Sequence, residues 1–145
     1  MVWYFAYGSN LDMDRLRSRI GRWQAAKKAA LKDYRLSFDS RGKADILEQR
    51  GERVWGTVYK VTEAQLKILD DFEGVHSGVY KRVRVNVECD GKTEHAIAYV
   101  KVEKTSFHPP NDEYLNYILR GLKQHGYDEE TIEAVRAAAR QRNAC

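Results

Sequence analysis

Three acids crowd one short stretch, "LDDFEGV" from Leu69 to Val75, at the end of what reads as an amphipathic helix. Helix C-termini carry partial negative charge and favour cations, so Asp70, Asp71 and Glu73 break the local rule. Such a conflict marks either a functional site or plain surface. Its consequence has a definite sign: neighbouring like charges and the helix end disfavour ionisation, and burial beside Phe72 would add desolvation. The pKa of Glu73 is therefore expected to rise, towards the range that general acid/base chemistry uses. The same residues also describe three solvated acids that repel weakly.

A second stretch, "WYFAYGSNLDM" from Trp3 to Met13, runs from an aromatic strand into Gly8-Ser9-Asn10. Gly and Asn tolerate turn backbone that other residues resist. A tight turn from strand into helix leaves backbone N–H groups at the helix's positive end, which suits an anion. It equally describes an ordinary strand–turn–helix corner. Tyr80 and Tyr114 follow other turns, and each is a pocket candidate or a core residue with its hydroxyl at the surface. Trp3, Trp23 and Trp55 read as packing groups. Ser9 lacks the G-x-S-x-G elbow of an esterase nucleophile, and neither a P-loop nor G-x-G-x-x-G occurs. His76, His95, His108 and His125 have no metal-ligand spacing with each other or with cysteine, so no zinc site is expected.

The elements that position these residues follow from periodicity. Val2–Tyr7 has the character of a buried strand, and Asp12 can cap a helix carrying Leu16 and Ile20 on the same face as Leu11. "KKAALKDYRLSF" predicts a strand centred on Tyr34–Phe38, "SRGKA" a loop, and "ADILEQRGERVWGTVYKV" two strands around a turn at Gly51. Thr62 and Gln65 form a capping box for a helix that sends Leu66, Leu69 and Phe72 to the core and ends at Gly74. Val83, Val85 and Val87 alternate with polar residues, turn at Asp90-Gly91, and return through "HAIAYV". After Pro109-Pro110, Asn111 caps a helix to about His125, and Asp128 a last one ending with Arg140 and Arg142. The order β-α-β-β-β-α-β-β-α-α predicts an α+β fold: a small mixed sheet curled into a barrel-like structure flanked by helices.

Bulk properties agree with one soluble domain over residues 1–145. The chain is 43% hydrophobic and 32% charged, with 25 basic against 21 acidic residues and a net charge of +4. That mild, dispersed charge does not predict nucleic-acid binding; in the densest basic stretch, "YKRVRV", the charges alternate with valines as on a solvated strand face. No segment approaches a membrane span. The N-terminal apolar run is too short for a signal peptide and has no basic residue before it. Cys89 and Cys145 do not suggest a structural disulfide, so a reducing cytoplasm is the expected location.

Taken together, "YFAYGSNL", "VWGTVYKV", "LDDFEGVHSGVYKRVRV" and "PPNDEYLNYI" resemble the gamma-glutamylcyclotransferases in order and spacing, over nearly the whole chain. The related gamma-glutamylamine cyclotransferases usually carry a "YGTL"-type turn, which places this sequence closer to the first group. The resemblance implies a barrel-like mixed α/β fold and release of 5-oxoproline and a free amine from gamma-glutamyl compounds. It implies Glu73 as the acid/base and Tyr4, Phe5, Ala6, Tyr7, Gly8 and Ser9, with Asn10 beside them, as the substrate loop. Tyr80 and Tyr114 would close the pocket and donate hydrogen bonds. The backbone N–H groups of Tyr7 to Ser9 would hold either the α-carboxylate or the developing oxyanion. Because the nucleophile is the substrate's own amine, no cofactor or enzyme nucleophile is implied; a homodimer is.

One departure stands out: "GKADILEQ", Gly42 to Gln49, replaces the family's frequent "GGxAT", putting Lys43 and Asp45 beside the pocket or a subunit contact. Two other readings of the same cradle are a non-catalytic carboxylate-binding or regulatory module, and a cyclotransferase that removes a gamma-glutamyl group from a biosynthetic intermediate.

Overall fold

The computed structural model describes residues 1–140; Arg142 and Cys145 lie outside the described residues. Five strands form a closed barrel: β1 (Val2–Ala6), β2 (Ala25–Phe38), β3 (Ala44–Val61), β4 (Tyr80–Cys89) and β5 (Lys92–Lys101), in the spatial order β1-β3-β2-β4-β5. Neighbours are antiparallel except β1 and β5, which meet in parallel at Tyr4 and Ile97 and close the ring. Helices α1 (Met13–Ile20), α2 (Glu63–Phe72), α3 (Asp112–Gln124) and α4 (Glu129–Arg140) flank it. The barrel-like mixed sheet flanked by helices is thus the fold the sequence predicts.

Alternation along β1 feeds two cores. Phe5 and Tyr7 point into the cluster that joins Val58, Val87 and Ala98 to Ile118 and Leu122 of α3. Tyr4 and Ala6 point the other way, against Leu16, Ile20, Leu66 and Leu69 of α1 and α2. A strand buried on both faces reads as a continuous apolar run, which is what β1 shows. Where β1 ends, between these cores, the chain turns into the candidate site.

Several local expectations hold in detail. Asp12 caps α1 by accepting from Arg15 N at 2.9 Å, and Thr62 and Gln65 complete the capping box of α2. Asp90 and Gly91 turn the β4–β5 hairpin with φ of 50° and 76°, while Gly74, in the left-handed region at φ 64°, follows the end of α2.

Three expectations are corrected. Residues 44–61 form one strand, not two, and both halves pair with β2, which begins at Ala25, well before Tyr34. Gly51, with φ 87°, sits in an irregularity of the ladder opposite Asp33, whose Oδ1 accepts its N–H at 3.0 Å. A positive-φ glycine serves a bulge as well as a reversal, and local sequence does not separate the two. Phe72 is 53% exposed. The buried stripe of α2 is Leu66, Leu69 and Asp70, and the Phe72 ring lies under the Arg19 guanidinium at 4.5 Å.

The third correction concerns the crowded acids. Asp70 turns inward, accepting from Arg82 Nε and Nη2 at 2.7 Å each and from Tyr99 Oη at 2.7 Å. Burial pushes its carboxyl up, but these hydrogen bonds outweigh burial and hold it below its ordinary value. Asp71 is exposed, 3.9 Å from His76.

Candidate active site

The cleft is built where four segments meet: the end of β1 with the turn after it, the start of β3, the segment from α2 to β4, and the first turn of α3. Ser9–Leu11 forms a short 3-10 turn, closed by Leu11 N donating to Gly8 O at 3.0 Å and Asp12 N to Ser9 O at 3.1 Å. Among the described residues, the N–H groups of Gly8, Ser9 and Asn10 have no backbone partner. Two features clamp this turn. Gly121 of α3 lies so close that a Cβ there would collide with the backbone of Leu11 and Asp12. Buried Asp12 ion-pairs with Arg120 of the same helix.

Asp12 also changes the expected source of positive potential. The carboxylate that caps α1 occupies that helix's positive end, so the Gly8-Ser9 turn does not borrow the α1 dipole. Charge comes instead from Arg15 and Arg19, one helical turn apart on α1. Arg15 Nε donates to Ser9 Oγ at 3.0 Å and Arg19 Nη1 to Asn10 Oδ1 at 3.2 Å. The sequence reading missed both; their spacing, i and i+4 just after the turn, was the available signal.

Nine of the ten residues named from the sequence line one small cleft of about 40 Å³: Tyr4, Phe5, Tyr7, Gly8, Ser9, Asn10, Glu73, Tyr80 and Tyr114. Ala6 does not; it lies on the other face of β1, in the second core. Ala44 and Tyr99 complete the lining. A Cβ on Gly8 would stand 3.1 Å from Ala44 Cβ and 3.5 Å from Tyr114 Oη, so any side chain there would intrude on the cleft.

Glu73 follows α2 directly, and its carboxylate makes no hydrogen bond or ion pair with the described residues. Burial raises its pKa, while Arg19 and then Arg15 pull it back down. The direction is the one expected from the sequence, but the cause is desolvation, not repulsion from Asp70 and Asp71. Those two face Arg82 and solvent.

Residues 53–135 match the AIG2-like family. The human gamma-glutamylcyclotransferase is 35% identical to this chain, over 92% of it and 77% of that protein.

The chain belongs to the AIG2-like family.

A solved structure of a gamma-glutamyl cyclotransferase superposes with a TM-score of 0.84 at 33% identity, covering 94% of this chain and 86% of its own. The bovine gamma-glutamylaminecyclotransferase is 36% identical over a shorter span, 50% of this chain and 41% of that protein.

Within this AIG2-like cleft the tyrosine hydroxyls are not equivalent. Tyr80 Oη donates to Ala44 O at 2.7 Å, whereas Ala44 N donates to Tyr114 Oη at 3.0 Å. The two peptide groups that flank the Ala44 Cα thus act on the two tyrosines: the carbonyl of one takes the hydrogen of Tyr80, and the N–H of the other binds Tyr114 and leaves it its own hydrogen. Of the two tyrosines expected to donate into the pocket, Tyr80 here gives its hydrogen to Ala44 O. Burial raises both phenols, Tyr114 to about 12, so both stay protonated at neutral pH.

The departure at Lys43 and Asp45 also resolves into specific contacts. Lys43 Nζ lies over the Tyr114 ring at 4.4 Å. Asp45 is buried and ion-paired with Lys104 at 2.9 Å, and also accepts from Lys101 N at 3.0 Å. Its charge still reaches the cleft, helping to raise the buried Tyr7 and Tyr80 phenols.

Among the described residues no helix is long and apolar enough to cross a membrane, and no group of three His, Cys, Asp or Glu is placed to hold a metal ion.

Proposed function

We propose that this chain is a gamma-glutamylcyclotransferase that releases 5-oxoproline and a free amine from gamma-glutamyl compounds, with Glu73 as its acid/base. One observation carries the assignment of Glu73: a desolvated carboxylate without a protein partner faces a turn of backbone N–H groups in the same cleft. Its raised pKa brings it closer to that of an α-amine, which favours proton exchange between them. Arg15 and Arg19 supply a positive field suited to an anionic head group, and the relatives' names point to the same chemistry.

Glu73 takes a proton from the substrate's α-ammonium. The freed amine attacks the γ-carbonyl carbon, forming the C–N bond of the five-membered ring and pushing the carbonyl electrons onto oxygen. The loop N–H groups of Gly8 to Asn10 stabilise that oxyanion or hold the α-carboxylate. Glu73 delivers its proton to the departing nitrogen, the original γ C–N bond breaks, and the ring nitrogen surrenders a second proton through the same carboxylate. Two protons therefore pass from one nitrogen to the other, and enzyme and carboxylate end as they began. Holding the chain folded so that amine and carbonyl meet is worth on the order of 7 kcal/mol in well-oriented cases.

The test is 5-oxoproline release from a panel of gamma-glutamyl amino acids, amines and larger amides, wild type beside Glu73→Gln. Release by wild type, lost in the variant, is expected. No release from any member would favour a carboxylate-binding module, and the preferred leaving group would tell a general enzyme from one dedicated to a biosynthetic intermediate.

A further inference from the structure

The hydrogen bonds of the cleft give its phenols two opposite roles. On one side, every hydroxyl hydrogen is already committed: Tyr80 Oη donates to Ala44 O at 2.7 Å, and Tyr7 Oη donates to Tyr99 O at 2.5 Å. A phenol whose hydrogen is bound can only accept. The Glu73 carboxylate, an acceptor too, lines the same cleft, and its charge acts on Tyr7 and Tyr80 as it does on Tyr4 and Tyr114.

On the other side, the hydrogens are not committed to the backbone. Tyr114 accepts from Ala44 N and keeps its own hydrogen, with the Ser9 hydroxyl beside it. Tyr4 accepts from Asn10 Nδ2 at 3.0 Å and keeps its own as well. The Asn10 orientation is not arbitrary, because its Oδ1 accepts from the Arg19 guanidinium, which can only donate. The unpartnered N–H groups of Gly8, Ser9 and Asn10 stand on this side.

The polarity is rigidly imposed. Ala44 begins β3 directly after a tight turn in which Asp39 Oδ1 accepts from Arg41 N and Lys43 N at 2.9 Å each, and Asp39 N donates to Lys43 O at 2.8 Å. Asp45 is held on the following side by Lys104. Exchanging the roles of the two tyrosines would require both the Lys43–Ala44 and the Ala44–Asp45 peptides to turn over, and the first of these would lose the bond from Asp39 N to Lys43 O that closes the turn.

We infer that Tyr80 is the specificity residue for the substrate's α-ammonium, accepting one of its hydrogens while Glu73 takes another, and that Tyr114 donates to the anionic part of the head group. A zwitterionic α-amino acid fits such a divided cleft, with its ammonium on the acceptor side and its carboxylate on the donor side. A second consequence is geometric. With one hydrogen on Tyr80 and one removed by Glu73, the amine can rotate little, and its lone pair is aimed by the protein. The inference rests on the gamma-glutamyl reading of the site and extends it to which atom recognises which charge.

The test compares two small ligands that differ only in the amine, L-glutamate and glutarate, as inhibitors or by calorimetry. Wild type should bind L-glutamate more tightly than glutarate, despite the cost of desolvating the ammonium. Tyr80→Phe should weaken L-glutamate roughly tenfold to a hundredfold, the range for a hydrogen bond to a charged group, and leave glutarate unchanged. Tyr114→Phe should weaken both ligands alike. Equal losses of both ligands in Tyr80→Phe, or none, would overturn the assignment, as would a wild type that prefers glutarate. That last comparison needs no variant, so it stands even if a substitution impairs folding.

The two readings fail differently. A wild type that prefers L-glutamate but releases no 5-oxoproline would remove the catalytic proposal and keep the Tyr80 assignment. A wild type that releases 5-oxoproline, with a Tyr80→Phe variant indifferent to the amine, would do the reverse.

Discussion

Replacing Glu73 by glutamine keeps shape and hydrogen-bonding capacity but removes the proton acceptor. An unperturbed glutamate near ~4.3 facing an α-amine near ~8 is mismatched by about 3.7 units, or about 5 kcal/mol. Burial of Glu73 closes part of that gap, at about 1.4 kcal/mol per unit, and the nearby Arg19 and Arg15 limit how far. With that exchange abolished, turnover should fall by roughly 10²–10⁴, the usual contribution of a positioned acid/base. The assay is 5-oxoproline release at saturating substrate. Binding of 5-oxoproline itself, which carries no ammonium, serves as the control for an intact cleft. A second readout follows from linkage. Glu73 has a folded pKa above its unfolded one, so between the two values the native state binds more protons than the unfolded state. Stability attributable to this residue is therefore lost as pH rises through that window. Glu73→Gln should melt higher than wild type at neutral pH, with the difference vanishing in acid below the unfolded carboxyl pKa. Turnover within about tenfold of wild type, in a variant that still binds 5-oxoproline, would refute the assignment. An unchanged melting temperature would refute the desolvation argument.

Arg19 lowers the pKa of Glu73, so Arg19→Gln should move the acid limb of the pH–rate profile to higher pH; a limb that stays in place or moves down would contradict the electrostatics. Asp70→Ala strips the partner from Arg82 and Tyr99 and should cost about 3 kcal/mol in urea unfolding at neutral pH. Because Asp70 is held below its ordinary pKa, its contribution is present above the unfolded value and lost as pH falls through the folded one. The difference between Asp70→Ala and wild type should accordingly shrink in strong acid. Gly121→Ala must push α3 away from the backbone of Leu11 and Asp12. It should lose about 1–3 kcal/mol of stability and also activity, since the displaced turn lines the cleft; a melting temperature like wild type's would count against that packing.

Much of the architecture was legible because it rests on local rules. The caps at Asp12, Thr62 and Asn111, the Asp90-Gly91 hairpin and the left-handed Gly74 are each set by a few adjacent residues, and each is where those residues place it. Gly51 shows the boundary of such rules. Its backbone conformation could be anticipated, but whether it turned the chain or bulged a strand depended on β2, whose partner residues are distant in sequence. Phe72 shows another: the apolar spacing Leu66, Leu69, Phe72 drifts around the helix, and α2 ends before the ring can meet the core.

For the site, residue types raised Glu73, the Gly8-Ser9 turn, Tyr80 and Tyr114 as candidates, each beside a purely structural alternative, and anticipated the direction of the Glu73 shift; the resemblance to the gamma-glutamylcyclotransferases selected them. Arg15 and Arg19 were passed over, since arginines on a helix face look alike until something shows which face meets the cleft. The side chains that surround Glu73 also needed three dimensions. Asp70 and Asp71 are its neighbours in sequence, yet they pair with Arg82 and solvent, while Arg19 and Arg15, distant in sequence, set its field. Sequence by itself determined which groups can ionise, turn or pack, because those are properties of single residues and short spacings. Only the tertiary structure decided which way each hydroxyl hydrogen points, through the two peptides that flank Ala44, because a hydrogen bond's polarity belongs to the pair and the pair is made by the fold.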